Sequence, residues 1–324
     1  MRPRTIALAC AGALVLSLLA PSSGAARVVG NGTARSCTSS AVLAAVRAGG
    51  TIRFSCGRKP VTIRLRATAK VLNTRPDVVI DGGGIVTLSG VGQRRILYMN
   101  TCDPAQRFTT SHCQDQATPR LVVKNITLTH GNATGEDLDG GGGGAIFARG
   151  GQLRIVDSTF VANHCDRNGP DVGGGAVRAL SQYHGRSVTV VGSRFTDNAC
   201  SNGGALSSIG TSWNVQRSRF VGNRAIGAGA NPARAGTPGG GSGGAIYNDG
   251  NRFTLTIRDS YLADNHANEG GGAIFFVSND RTGTLAIRHS VLQRNRSDGF
   301  QTAGLPGIFF LGAGRPTILH SVLR

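Results

Sequence analysis

The sequence predicts an all-β chain wound as a parallel solenoid, with one short helix capping its start. Three observations carry this. First, Gly-Gly-Ala followed by an aliphatic residue occurs five times, starting at Gly143, Gly174, Gly203, Gly243 and Gly271, in steps of 31, 29, 40 and 28 residues. Second, the unit Leu153-x-Ile155-x-x-Ser158-x-Phe160-x-x-Asn163 lies between these strings. It returns at 188–198, 213–223, 255–265 and 285–295, and begins again at Ile318. Third, apolar and polar residues alternate with the period of a strand, over runs too short and too far apart for hairpins. Self-similarity at this spacing is the mark of a solenoid.

Each repeat is then one coil, adding a layer of ~4.8 Å, and equivalent residues stack in columns. The Leu, Val, Ile and Phe columns fill the interior. The Asn column is expected at a turn, where Asn tolerates left-handed backbone and stacked amides form a ladder. The Gly pairs permit positive φ and close backbone approach. The Ser column bonds either along its own stack or to turn backbone. Insertions fall between the Asn and the Gly pair, the longest at 226–241. Loops gathered on one side mark a candidate binding face.

The start of the chain fits the same plan. Residues 36–50 read as the cap, with a helix over 39–47 that has a Ser at its N-terminus and ends at Gly49-Gly50. Residues 51–54 read as a first strand, and 78–84 and 121–128 as two early coils. Residues 27–324 are expected to form a single domain, with clear repeats over 126–324. Ahead of it, Arg2 and Arg4, an uncharged run over 5–20 and the small residues up to Ala26 form the pattern of an export leader, 1–26. No later run is long and apolar enough to span a bilayer, so the mature chain is expected outside the cell or on its surface.

Without the leader, six cysteines remain, an even number suited to disulfides. Cys165 and Cys200 each stand two residues after a column Asn. They occupy one column in neighbouring coils, within reach of a disulfide. Cys102–Cys113 closes a local loop, and Cys37–Cys56 ties the start of the fold together.

Composition excludes other classes. The 49 glycines have no three-residue period, so collagen is out, and Glu occurs only at 136 and 269, so long charged helices are out. A hydrophobic fraction of 40% allows a core.

Gly-Gly-Ala-Ile combined with Phe160-Val161-Ala162-Asn163, Phe195-Thr196-Asp197-Asn198 and Phe220-Val221-Gly222-Asn223 resembles the repeat of polymorphic outer membrane proteins, over about 126–324. The stretch from Ile80-Asp81-Gly82-Gly83-Gly84 to Gly90 looks like the first coils of pectin-lyase-like proteins. Together these resemblances imply a right-handed parallel β-helix. Their members range from surface adhesins to polysaccharide lyases and hydrolases, so function must come from the site.

The acidic candidates for catalysis are Glu136, Asp137, Asp139 and Asp171, on the loop side. As a cluster they suit Ca²⁺, and as a pair they suit acid–base work on a glycoside. Their offsets from the Gly-Gly-Ala string differ, as does that of Glu269, so they do not form one column. The strings Asn-Thr-Asp, Gly-His-Gly and Arg-Ile-Lys of polygalacturonases are missing. His289 and His320 share a column, which suits stacking better than a zinc site. The Gly-rich runs lack the Lys-Ser/Thr ending of a phosphate loop.

The net charge is +18, and 32 of the 35 basic residues are Arg. Arg194 stacks with Arg219, and Arg258 with Arg288, in adjacent coils. Like charges so placed repel, and a bound polyanion relieves them. The expected function is therefore binding of an anionic glycan or cell-wall polymer. A polysaccharide lyase or glycoside hydrolase is the alternative, and a structural envelope component a third. Export and the lack of a recognition motif argue against nucleic acid.

Overall fold

The computed structural model describes residues 26–324, apart from the side chain of Asp139. The expected leader lies outside the described residues. Within them, short parallel strands stack into three sheets, of 17, 8 and 4 strands, so the architecture is a parallel β-helix. A coil runs through two strands of the first sheet, bending at the Ser column. It turns at the Asn column into a strand of the third sheet where one is present, crosses a loop, and enters the second sheet after the Gly pair.

The columns read from sequence are the register of the sheets. Phe160 pairs with Phe195 and Phe195 with Phe220. Their buried rings stack at 4.7 Å, with interplanar angles of 7° and 3°. Ile155, Val190, Val215, Ile257 and Ile287 form a second interior column.

The turns differ from expectation in one respect. Positive φ falls on the residue before each Asn: Ala162 at 52°, Asp197 at 54°, Gly222 at 68°, Asp264 at 56° and Arg294 at 53°. That bend turns the following Asn side chain inward, where it is bonded. The Ser column does both things expected of it. The Ser193 N–H donates to Ser218 Oγ in the next coil, and Ser193 Oγ donates to the carbonyl of Val191. The Gly pair divides its labour. Gly174 has φ 77°. A Cβ on Gly175 would lie 2.6 Å from the Ala199 carbonyl oxygen and 2.7 Å from its nitrogen.

At the N-terminal end, the helix α1 spans Ser39–Ala48. Its cap is Thr38, not a serine. Thr38 has extended backbone, and its hydroxyl accepts the N–H of Ala41 at 3.3 Å. Ser39 is already helical, and its hydroxyl accepts the N–H of Arg66 instead. Val42, Ala45 and Val46 join the core, and the helix packs on Ala69–Val71, the terminal strand of the second sheet. One strand precedes the expected first one: Arg27–Val29 pairs in parallel with Gly50–Phe54.

All three disulfides form as paired from sequence, with Cα–Cα distances of 4.8 Å for Cys165–Cys200, 4.9 Å for Cys102–Cys113 and 5.7 Å for Cys37–Cys56. They fit an exported, oxidising setting. Among the described residues, no helix is long and apolar enough to cross a membrane.

Candidate functional site

The second sheet has two unlike faces. Ile146, Ala148, Val177, Ala179, Leu206 and Ile246 belong to the central core. The residues between them point the other way and form a ladder: Tyr98, Phe147, Arg178, Ser207, Tyr247, Phe275 and Phe309. Tyr98, Phe147, Arg178, Ser207 and Tyr247 are nonetheless buried, because the inter-repeat loops fold over this face. Tyr98 stacks on Phe147 and Tyr247 on Phe275, at 5.5 and 5.0 Å.

Arg178 interrupts this aromatic ladder. It is 1% exposed. Its Nη1 donates to Ser207 Oγ at 2.7 Å, while its Nε has no hydrogen-bond partner among the described residues. Among the described residues, no carboxylate comes within ion-pair distance of it. Burial pulls its pKa down to about 10, partly offset by Tyr247, Asp171 and Asp249. A guanidinium taken out of water without a counter-ion is costly.

Arg178 borders a cleft of about 440 Å³, together with Arg149, Asp171, Gln114 and Ser181. On the Asp171 side, the Asn231 amide donates to Asp171 Oδ1 at 3.4 Å and to Asp249 Oδ2 at 2.9 Å. The Tyr247 hydroxyl also donates to Asp249 Oδ2, at 3.1 Å. Burial, with Asp171 adding, pushes the Asp249 carboxyl up from its ordinary range against the hydrogen bonds that lower it. Burial also holds the Tyr247 hydroxyl well above the usual phenol range.

The four acids read from sequence have different fates. Asp171 lines the cleft. Glu136 Oε2 pairs with Arg95 Nη1 at 3.3 Å; Arg95, buried against Tyr98 and Phe147, also donates to the carbonyls of Gly142 and Gly143. Asp137 lines a separate hollow of about 400 Å³ with Asp166 and Arg167. The side chain of Asp139, on the 3-10 turn Leu138–Gly140, is outside the described residues. Glu269 is held by two bonds from Arg234, at 2.8 and 2.7 Å.

The two arginine pairs are register neighbours, as expected, but on the first sheet rather than at the cleft. Arg194 pairs with Arg219 and Arg258 with Arg288. The guanidinium of Arg219 sits 4.4 Å from the Tyr261 ring centroid. The His289 and His320 rings stack at 5.1 Å. Among the described residues, no three His, Cys, Asp or Glu side chains gather as a metal site.

The sequence reading missed Arg178, Tyr247 and Asp249. One signal was present. The position after each Gly-Gly-Ala-aliphatic string reads Phe147, Arg178, Ser207, Tyr247, Phe275, and a charge in a mostly aromatic column is conspicuous.

The molecule is thus a parallel β-helix protein with a loop-covered polar cleft on one sheet. No family model, curated protein or solved structure matches the chain.

Proposed function

We propose that this chain is an exported β-helix protein that binds an acidic saccharide of a cell-envelope or extracellular polymer in the cleft over the second sheet. The observation that carries the reading is Arg178. A buried guanidinium with, among the described residues, an unpartnered Nε and no ion pair is completed by an incoming carboxylate, which takes charge-assisted hydrogen bonds there. Arg149 lines the same cleft. A volume near 440 Å³ suits one or two sugar units. The arginine pairs on the first sheet give a second, separate positive surface for a polyanion. The resemblance to the polymorphic outer membrane protein repeat and to pectin-lyase-like proteins supports a glycan-facing role. The test is titration calorimetry with acidic and neutral oligosaccharides, with and without Ca²⁺. Acidic chains bind the native protein and lose at least tenfold in affinity with Arg178→Met. Equal affinity of the two proteins removes the reading.

Asp249 favours a second reading, a glycoside hydrolase or polysaccharide lyase. Asp171 and Asp249 contact one amide nitrogen, so those oxygens lie within about 6 Å of each other, a separation at which two carboxyls can flank a glycosidic bond. The raised Asp249 would serve as the acid and Asp171 as the base. New reducing or unsaturated ends, lost in Asp249→Asn, would establish catalysis over binding alone.

A further inference from the structure

The longest insertion, 226–241, crosses the second sheet as a strap. Its two limbs are joined by antiparallel bridges, Ala228 to Gly239 and Ala230 to Gly240. The Ala230 and Gly240 N–H groups each donate to the other residue's carbonyl at 2.8 Å. No strap residue belongs to the central hydrophobic core. Polar contacts fasten it to the body: Arg234 on Glu269, the Gly229 N–H donating to Glu269 Oε1 at 2.8 Å, and the Gly169 N–H donating to the Gly239 carbonyl at 3.1 Å. Backbone bonds tie its ends, from the Gly227 and Gly241 N–H groups to the Ser201 carbonyl and from the Glu269 N–H to the Gly241 carbonyl. Residues 232–236 between them are exposed, and an exposed segment with little apolar packing opens locally at low cost. Glycines at 227, 229, 239, 240 and 241 stand at both ends, where a hinge has to absorb backbone change.

The strap carries Asn231 to Asp171 at the edge of the cleft. The Asn231 amide nitrogen faces Asp171 Oδ1, Asp249 Oδ2 and the Tyr247 hydroxyl. Three acceptors converge on a group with two N–H protons. Two adjacent hydroxyls of a sugar ring present the same donor count, so they can replace the amide without leaving either carboxylate unpaired.

We infer that the strap is a hinged gate over Tyr247 and Asp249 at the Asp171 edge of the cleft, latched by Arg234 on Glu269, and that Asn231 holds the place a saccharide's hydroxyl pair takes between Asp171 and Asp249. For the ligand class this rests on the cleft reading above; for the motion it does not.

Glu269→Gln tests the gate, since it removes the latch charge and keeps an acceptor for Gly229. Tetranitromethane nitrates accessible tyrosines, and mass mapping of peptides separates Tyr247, beneath Asn231, from Tyr98, in the same ladder beyond the strap. Nitration of Tyr247 is expected to rise at least tenfold in the variant while Tyr98 stays unchanged, with hydrogen exchange at Ala230 and Gly240 rising in parallel. Equal Tyr247 rates in the two proteins, or a joint rise of Tyr98 and Tyr247, overturn the gate. An oligomannuronate probe supplies the second arm: association at least tenfold faster in the variant supports the gate, and equal association rates overturn it even though the cleft binds. If the probe binds neither protein, the cleft reading loses its support and the gate is decided by Tyr247 alone.

Discussion

The side-chain amide of Asn163 donates to Oδ1 of Asn198 at 2.9 Å, and the same oxygen accepts the backbone N–H of Asn163 at 3.0 Å. Asn198 repeats both bonds to Asn223, and donates from its Nδ2 to the Phe160 carbonyl as well. The ladder continues through Asn265 to Asn295. One side chain thus satisfies two backbone groups of the preceding coil, the Asn163 N–H and the Phe160 carbonyl.

Asn198→Ala strips partners from the Asn163 N–H and side chain and from the Phe160 carbonyl, all buried. The expected loss is about 3 kcal/mol, since orphaned buried groups carry their full desolvation cost. Asn295→Ala removes the last rung, which is only half-buried, and should cost about 1 kcal/mol. Urea unfolding of both variants checks the ranking; equal losses would mean that the ladder does not act through burial.

Cys165 and Cys200 join adjacent coils across 35 residues. Closing a loop of that length removes unfolded-state entropy, so the double Ala variant should lose about 2–4 kcal/mol. Cys102→Ala/Cys113→Ala, closing 11 residues, should lose less by the same argument. Chemical denaturation under non-reducing conditions compares them.

Repetition explains what could be read from sequence. Phe160, Phe195 and Phe220 announce their stacking because one register serves every coil, and Cys165 and Cys200 inherit their pairing from the Asn beside them. The site lacks that help. Asp249 and Asp171 are bridged by Asn231 of the 226–241 insertion, which follows no repeat. Glu136 was legible as an acid but not as the partner of Arg95, because that contact joins an insertion to a strand end 41 residues earlier. The helix cap was misplaced by one residue because Thr38, Ser39 and Ser40 are all competent caps, and backbone geometry, invisible in sequence, selects Thr38.

Asp249 and Glu269 should respond to pH with opposite signs. Burial raises the folded-state pKa of Asp249 above its ordinary 3.8. Its stabilising contribution is therefore present below that ordinary value and is lost as pH rises through the folded one. Asp249→Asn should gain stability relative to the native protein as pH rises above 3.8 and through the folded-state pKa. Glu269 is held below its ordinary 4.5 by the Arg234 bonds, so its contribution exists above that value and disappears as pH falls through the folded pKa. Glu269→Gln should lose stability at neutral pH and match the native protein in acid. Unfolding midpoints across this range decide it; a constant Asp249→Asn difference would show that its carboxyl is not raised.

Arg178→Met separates stability from function. A buried guanidinium with an unpartnered Nε is a folding liability, and an unbranched apolar side chain of similar length removes the desolvation cost. Replacing buried charge by apolar volume is often neutral or stabilising. The loss of the bond to Ser207 Oγ works against this, and the net expectation is a gain of about 1 kcal/mol. The same variant should lose retention on an anionic glycan column, while Arg194→Ala/Arg219→Ala, on the other sheet, should weaken retention chiefly at low salt, where exposed charges are least screened. A stability loss of several kcal/mol in Arg178→Met, with retention intact, would mean that the guanidinium serves the fold and not a ligand.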